Sequence, residues 1–253
     1  MHRTLPIIAA AAIASAAHAD MNPFALSGGN FSQDWSNTGL ITANDDWSGV
    51  PSITGFLGDT NSGSPTGVDP QTYLAASMGA VDVIANQANP NTLTSGGVAE
   101  FDGIANPTVA LQGSGTADTP GLVLYFDATG RTNVTISYNL RDIDGSGDNA
   151  IQQVALQYRI GGTGDFVNVP AGYVADASTG PNLATLVTPV TATNALWDNA
   201  SLLEFRILTT NASGSDEWIG VDDITVTSSP VPEPATLVAL ALGLGALARR
   251  RRK

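Results

Sequence analysis

Val134-Thr135-Ile136-Ser137-Tyr138-Asn139-Leu140-Arg141 is the stretch that decides the fold. Val134, Ile136, Tyr138 and Leu140 alternate with Thr135, Ser137, Asn139 and Arg141, so apolar side chains share one face and polar ones the other. A period of two is that of a half-buried strand. Val154, Leu156, Tyr158 and Ile160 repeat it, with Ala155, Gln157 and Arg159 opposite, and Leu203, Phe205 and Ile207 make a third such face. Leu122–Phe126 is a more continuous apolar run, as expected of a strand covered on both sides. Gly161–Asp165 predicts a turn into a short strand, Phe166–Val169, closing a hairpin. No long segment holds a helical period, and Gly, Asn and Asp punctuate the runs. The expectation is an all-β chain, an antiparallel β-sandwich or jelly roll. Residues 44–70, rich in Gly, Ser and Asp, predict a long surface loop, and Tyr73–Ala85 fits a short helix or a strand equally.

One strand carries an irregularity that the sequence exposes. In Trp218–Val226, Ile219 and Val221 are in phase, and Ile224 and Val226 are in phase with each other but out of step with the first pair. One inserted residue near Asp222-Asp223, a β-bulge, produces such a shift.

Both ends of the chain stand outside this pattern. His2 and Arg3 precede an apolar stretch, Leu5–Ala17, and Ala17-His18-Ala19 is a small-x-small site. Residues 1–19 therefore read as a signal helix cleaved between Ala19 and Asp20. Residues 20–229 would form the sandwich and residues 230–253 a tail. The chain has 253 residues and a net charge of −13. Five of its ten basic residues are Arg249–Lys253, and only Arg131, Arg141, Arg159 and Arg206 lie between residues 20 and 248. Every acidic residue except Glu233 lies in the sandwich region, which contains no lysine. Such a surface repels phosphate backbones and excludes nucleic acid as a direct partner.

Absent residue types exclude whole classes of chemistry. There is no cysteine, and His2 and His18 both leave with the signal peptide. Disulfide staples, thiol catalysis, histidine metal sites and the Ser-His-Asp triad are thereby removed. The expectation is a chain that is not an enzyme.

What remains is carboxylate chemistry. Asp142, Asp144 and Ser146, with Gly147 next and Asp148 after it, place oxygens at positions one, three and five of a calcium loop, with glycine at six. Position twelve is Gln153 rather than a bidentate glutamate, and the flanks are strands, so this is no EF-hand. Asn211, Ser213, Asp216, Glu217, Asp222 and Asp223 form a second cluster. A structural calcium held by Asp142, Asp144, Ser146, Asp148, Asp216, Asp222 and Asp223 would need both loops at one end of the sandwich. The alternative for each is a polar turn. Paired acids also suit a glycoside hydrolase, and Trp35, Trp47, Trp197 and Trp218, if exposed, would stack on sugar rings, although tryptophan in a sandwich is more often core.

The tail carries a resemblance. Val231-Pro232-Glu233-Pro234, an apolar run Ala235–Ala248 and a terminal cluster of cations follow in fixed order. This resembles the PEP-CTERM sorting signal. The resemblance implies that Pro232, Glu233 and Pro234 are read by an exosortase-type processing enzyme. It also implies that residues 235–248 form a hydrophobic helix in the membrane. That run is shorter than the ~20 residues of an ordinary spanning helix, which fits transient anchoring and processing better than permanent attachment. Family members are associated with exopolysaccharide and biofilm matrix. Ser137–Arg159, Asn168–Gly180 and Arg206–Val226 also resemble a jelly-roll module of bacterial surface proteins, spanning roughly residues 95–227. That module sometimes lies beside nuclease domains, and none is present here. Together these imply an exported, non-catalytic protein of the cell envelope, cell surface or extracellular matrix, possessing at most a calcium ion as cofactor. A module that binds exopolysaccharide is the alternative.

Overall fold

The alternation at Val134–Arg141 is the middle of a longer strand, β7 (Arg131–Asp142), in which Val134, Ile136, Tyr138 and Leu140 are buried and their polar neighbours half-exposed or exposed. It belongs to a computed structural model that describes residues 21–60, 66–147 and 149–232. The signal helix, the Ala19–Asp20 site, Asp148, Glu233, Pro234 and the apolar run 235–248 lie outside the described residues. Among the described residues no helix is long and apolar enough to cross a membrane.

Two sheets face each other. The first contains β6 (Gly121–Asp127), β11 (Leu203–Thr209), β8 (Val154–Ile160) and β9 (Val167–Asn168) in that order. On the free side of β6 its two halves pair with different strands, β1 (Phe24–Ala25) in parallel and β3 (Ile53–Phe56) antiparallel. The second sheet runs β10 (Val187–Thr193), β7, β12 (Ile219–Pro230), β5 (Thr108–Gln112) and β4 (Gly97–Phe101), with β2 (Phe31–Gln33) also on β12. The core between the sheets includes Trp47, Trp197, Phe126, Phe205, Ile136 and Ile224. Trp197 packs edge-on against Phe205 at 4.8 Å and Tyr158 at 5.7 Å.

The irregularity near Asp222-Asp223 is a bulge. The pairing of β12 with β7 shifts register between Asp222 and Thr225, and Asp223 adopts a left-handed φ of 50°. There β12 also changes its other neighbour, because Ile219–Val221 pair with β5 and Ile224–Val226 with β2. The hairpin is present too, with Gln157 opposite Asn168 and Tyr158 opposite Val167.

Two expectations are corrected and one alternative is removed. Residues 44–70 are not one surface loop. Trp47 is fully buried with its indole N–H donating to the Asp82 carbonyl (3.0 Å), and Ile53–Phe56 pair along β6. Tyr73–Ala85 is neither a helix nor a strand, although Val81 and Ile84 make single bridges to Phe56 and Ala99. All four tryptophans are buried, which removes them as a sugar-stacking platform.

The outer face of the first sheet is covered as well. Ala155, Gln157 and Arg206 point away from the core yet are buried, the last two beneath residues 70–78. Arg206 donates to the carbonyls of Tyr73 (2.5 Å) and Ala75 (2.9 Å) and to the Gln157 side chain, and it lies 3.9 Å from the centre of the Phe166 ring. Burial pulls its guanidinium down to about 9. Arg159 stacks on Phe166 too and pairs with Glu204 through two hydrogen bonds (2.6 and 2.8 Å). Planar forks over an aromatic ring explain why arginine rather than lysine serves here. Replacing Arg206 by methionine strands the Gln157 oxygen and two carbonyls, so it should cost about 2–4 kcal/mol. Chemical denaturation measures the loss, and hydrogen exchange should quicken first across residues 70–78.

Candidate binding cleft

At one end of the sandwich the two acidic loops meet around a cleft of about 250 Å³. Asp144 and Ser146 come from the loop after β7, Asp216 and Ser215 from the loop before β12, and Gln112 from the end of β5. Asn91, Leu93 and Thr94 close the remaining side.

Short polar side chains shape the first loop. The Asp144 N–H donates to the Asp142 carboxylate (3.1 Å) and the Ser146 N–H to the Asp144 carboxylate (3.0 Å), two successive Asx turns. The Asn91 side-chain oxygen accepts from the Gly145 N–H (3.0 Å) and ties this loop to the opposite wall. Asp142 itself stands behind the cleft. Its other oxygen accepts from the backbone N–H of Thr179 (2.7 Å) and from the Thr179 hydroxyl. Burial raises the Asp142 carboxyl, and these two bonds oppose the rise.

The second loop is held by amides. Gln112 donates to the Asp216 carbonyl (2.8 Å), and the Asp216 carboxylate accepts from the Ala212 N–H (2.6 Å). Burial pushes Asp216 up to about 7. Behind it Glu217, 2% exposed, accepts from the Ala150 N–H (3.2 Å) and gives its own N–H to Gln152 (3.1 Å). Trp218 supports the far wall, since its indole N–H donates to the Leu93 carbonyl (2.9 Å) and its ring packs edge-on against Phe101 at 5.2 Å.

The seven residues read as calcium ligands are thus divided. Asp144, Ser146 and Asp216 line one cleft. Asp142 lies behind it, and Asp148 is outside the described residues. Asp222 and Asp223 sit farther along β12, where Asp222 pairs with Arg141 (2.6 Å) and accepts from Asn106 (3.1 Å), and Asp223 accepts from Asn139 (2.8 Å). Asp222 is opposite Asn139 in the ladder, three residues beyond the Ile219–Asp142 pair. Among the described residues no group of three or more Asp, Glu, His or Cys side chains is placed to hold a metal. Asn91 and Gln112 were not foreseen. Each is an isolated amide in an ordinary stretch, and only the fold brings them to the acidic loops.

The architecture is that of a β-sandwich. Solved structures similar to it include the K3 cleaved adhesin domain of Lys-gingipain from Porphyromonas gingivalis, with 12% identity, TM-score 0.40, and coverage of 79% of this chain and 98% of that one. The K2 cleaved adhesin domain of Lys-gingipain has 15% identity, TM-score 0.38, and coverage of 80% and 99%. A non-crystalline cellulose specific carbohydrate-binding module has 12% identity, TM-score 0.35, and coverage of 51% and 79%. No curated protein matches the sequence. Residues 230–253 match the PEP-CTERM protein-sorting motif. The chain therefore carries a PEP-CTERM sorting segment, which marks it for export and sorting to the cell surface and implies exosortase processing.

The raised carboxyls set a pH dependence. Asp216 and Glu100 are pushed up to about 7 and Asp82 to about 6, each chiefly by burial. Glu100 accepts from the Asn86 N–H (3.1 Å) and Asp82 from the Val98 N–H (2.6 Å). The folded chain holds these protons more tightly than the unfolded chain, whose carboxyls stay near 3.8 and 4.5. Their contribution is therefore full below the unfolded values and declines as pH rises through about 6 to 7. The melting midpoint should be higher at pH 5 than at pH 8, and Asp216→Asn should flatten part of the difference in a calorimetric series.

Proposed function

We propose that this chain is a non-catalytic, exported cell-surface or matrix protein. In this reading the sorting segment delivers the sandwich to the cell surface, with residues 235–248 anchoring it in the membrane until an exosortase-type enzyme acts at Pro232-Glu233-Pro234. The observation that carries the reading is the sorting motif directly following a sandwich whose residues 20–253 contain neither cysteine nor histidine. Replacing Pro232, Glu233 and Pro234 by alanines should leave a full-length precursor in the membrane fraction on immunoblots. Normal processing of that variant would defeat the sorting reading.

The cleft favours a second, compatible reading, which is retention of a polysaccharide. Its walls offer carboxylates, amides and a hydroxyl from Asn91, Gln112, Asp144, Ser146 and Asp216, the donors and acceptors that neighbouring sugar hydroxyls require. Calcium belongs to this reading, with Asp144, Ser146 and Asp216 as its oxygen ligands and the bound sugar completing the shell. A glycan array probed with calcium and with chelator tests both parts. Binding should fall at least tenfold in Asp144→Ala and Asp216→Ala, and loss on chelation alone would assign the ion. Two carboxylates in one cleft, with Asp216 protonated near neutral pH, also suit glycoside hydrolysis. Reducing-end release abolished by Asp216→Asn would overturn the non-catalytic reading.

A further inference from the structure

β12 connects the cleft to the sorting motif. Its first residue, Ile219, follows Asp216, Glu217 and Trp218 directly, and its last, Pro230, pairs with Arg131 at the other end of the sheet. Eleven steps of ~3.3 Å from Ile219 to Pro230 separate these ends by at most ~36 Å. The far end is bonded to its last residue. The Val231 N–H donates to the Gly130 carbonyl (3.0 Å), and the Arg131 guanidinium donates to the Ser228 hydroxyl and carbonyl (both 3.0 Å). The adjoining turn is fixed in the same way, since the Gly130 N–H donates to the Asn199 side chain (2.8 Å) and the Asn199 N–H to the Arg131 carbonyl (2.9 Å).

No spacer of appreciable length follows. Pro232-Glu233-Pro234 separates Val231 from Ala235, the first residue of the apolar run, and the four steps between these two span at most ~14 Å even when fully extended. The end of the sandwich that holds Val231 is therefore forced against whatever surface receives residues 235–248.

We propose that the rim formed by Thr129–Arg131 and Asn199 is the membrane-facing surface of the anchored protein, and that the cleft is displayed on the opposite pole, away from the bilayer. β12 is the strut that sets the distance. This rests on the reading of residues 235–248 as a membrane segment, and the geometry adds to it an orientation. A rim pressed to the bilayer leaves the cleft free for an extended polymer approaching from outside.

The absence of cysteine permits a direct test, because one introduced thiol can be labelled alone. Thr129→Cys marks the rim and Ser215→Cys the cleft, both at exposed positions. The full chain, carrying a fluorophore at one site, is reconstituted in phosphatidylcholine vesicles containing a headgroup-attached quencher, and flotation is recorded on the same samples. The expected result is flotation with strong loss of emission at position 129 and none at position 215, relative to quencher-free vesicles. Flotation with equal quenching at both sites, or greater quenching at 215, would overturn the orientation while leaving the membrane segment intact. Failure to float would remove the membrane reading and the orientation with it.

Discussion

The antiparallel ladder between β7 and β12 is the pairing on which the other features depend. It runs from Ile219 opposite Asp142 to Pro230 opposite Arg131, through the bulge at Asp222-Asp223. The two acidic loops meet because both spring from one end of this ladder, the first after β7 and the second before β12. The sorting segment leaves from the other end. The ladder also sets the partners of the bulge. Because β12 gains a residue there, the Asp222 carboxylate is turned toward Arg141 and Asn106, and Asp223 reaches Asn139. Two adjacent carboxylates inside a sheet are tolerated because each has its own donors, one of them charged.

Without disulfides, the sandwich depends on coverage of both faces of its first sheet. The inner face carries Phe126 and Phe205 into the core, where Trp197 packs on Phe205, and the outer face lies under residues 70–78 and the hairpin that carries Phe166. Arg206 is expensive to bury, which its depressed affinity for a proton registers. It is accommodated by carbonyls and an amide that would otherwise lack partners. The polar layer fixes one register for a covering segment that has only the short 3₁₀ turn Pro70–Thr72 to define it.

Much of the fold was legible in local pattern, and the failures share a cause. Strand β8 and the bulge in β12 follow from side-chain phase, which depends on neighbours a few residues away. The burial of Trp47 and of Ile53–Phe56 does not. That stretch is rich in Gly, Ser and Asp and carries no alternation, and its strand exists because β6 offers an unpaired edge. The burial of the outward-facing Gln157 and Arg206 is not legible either, because nothing in their own strands reveals a cover about 80 to 130 residues away. The cleft was half legible. Asp144, Ser146 and Asp216 stand out as acidic turns, but their convergence, and the exclusion of Asp222 and Asp223 from it, are consequences of the ladder.

The same bonds decide the electrostatics of the cleft. Between residues 20 and 248 the chain has only four cations, and each serves internally: Arg131 on Ser228, Arg141 on Asp222, Arg159 on Glu204 and Arg206 on Gln157. None of these lines the cleft, whose charged groups are Asp144 and Asp216. An anionic polymer approaching it meets like charge with no arginine or lysine to offset it. Above the range in which Asp216 loses its proton, the repulsion grows. If the cleft holds a polysaccharide as proposed, that polymer is neutral and rich in hydroxyls, or else anionic with a divalent cation held between its own acids and those of the wall.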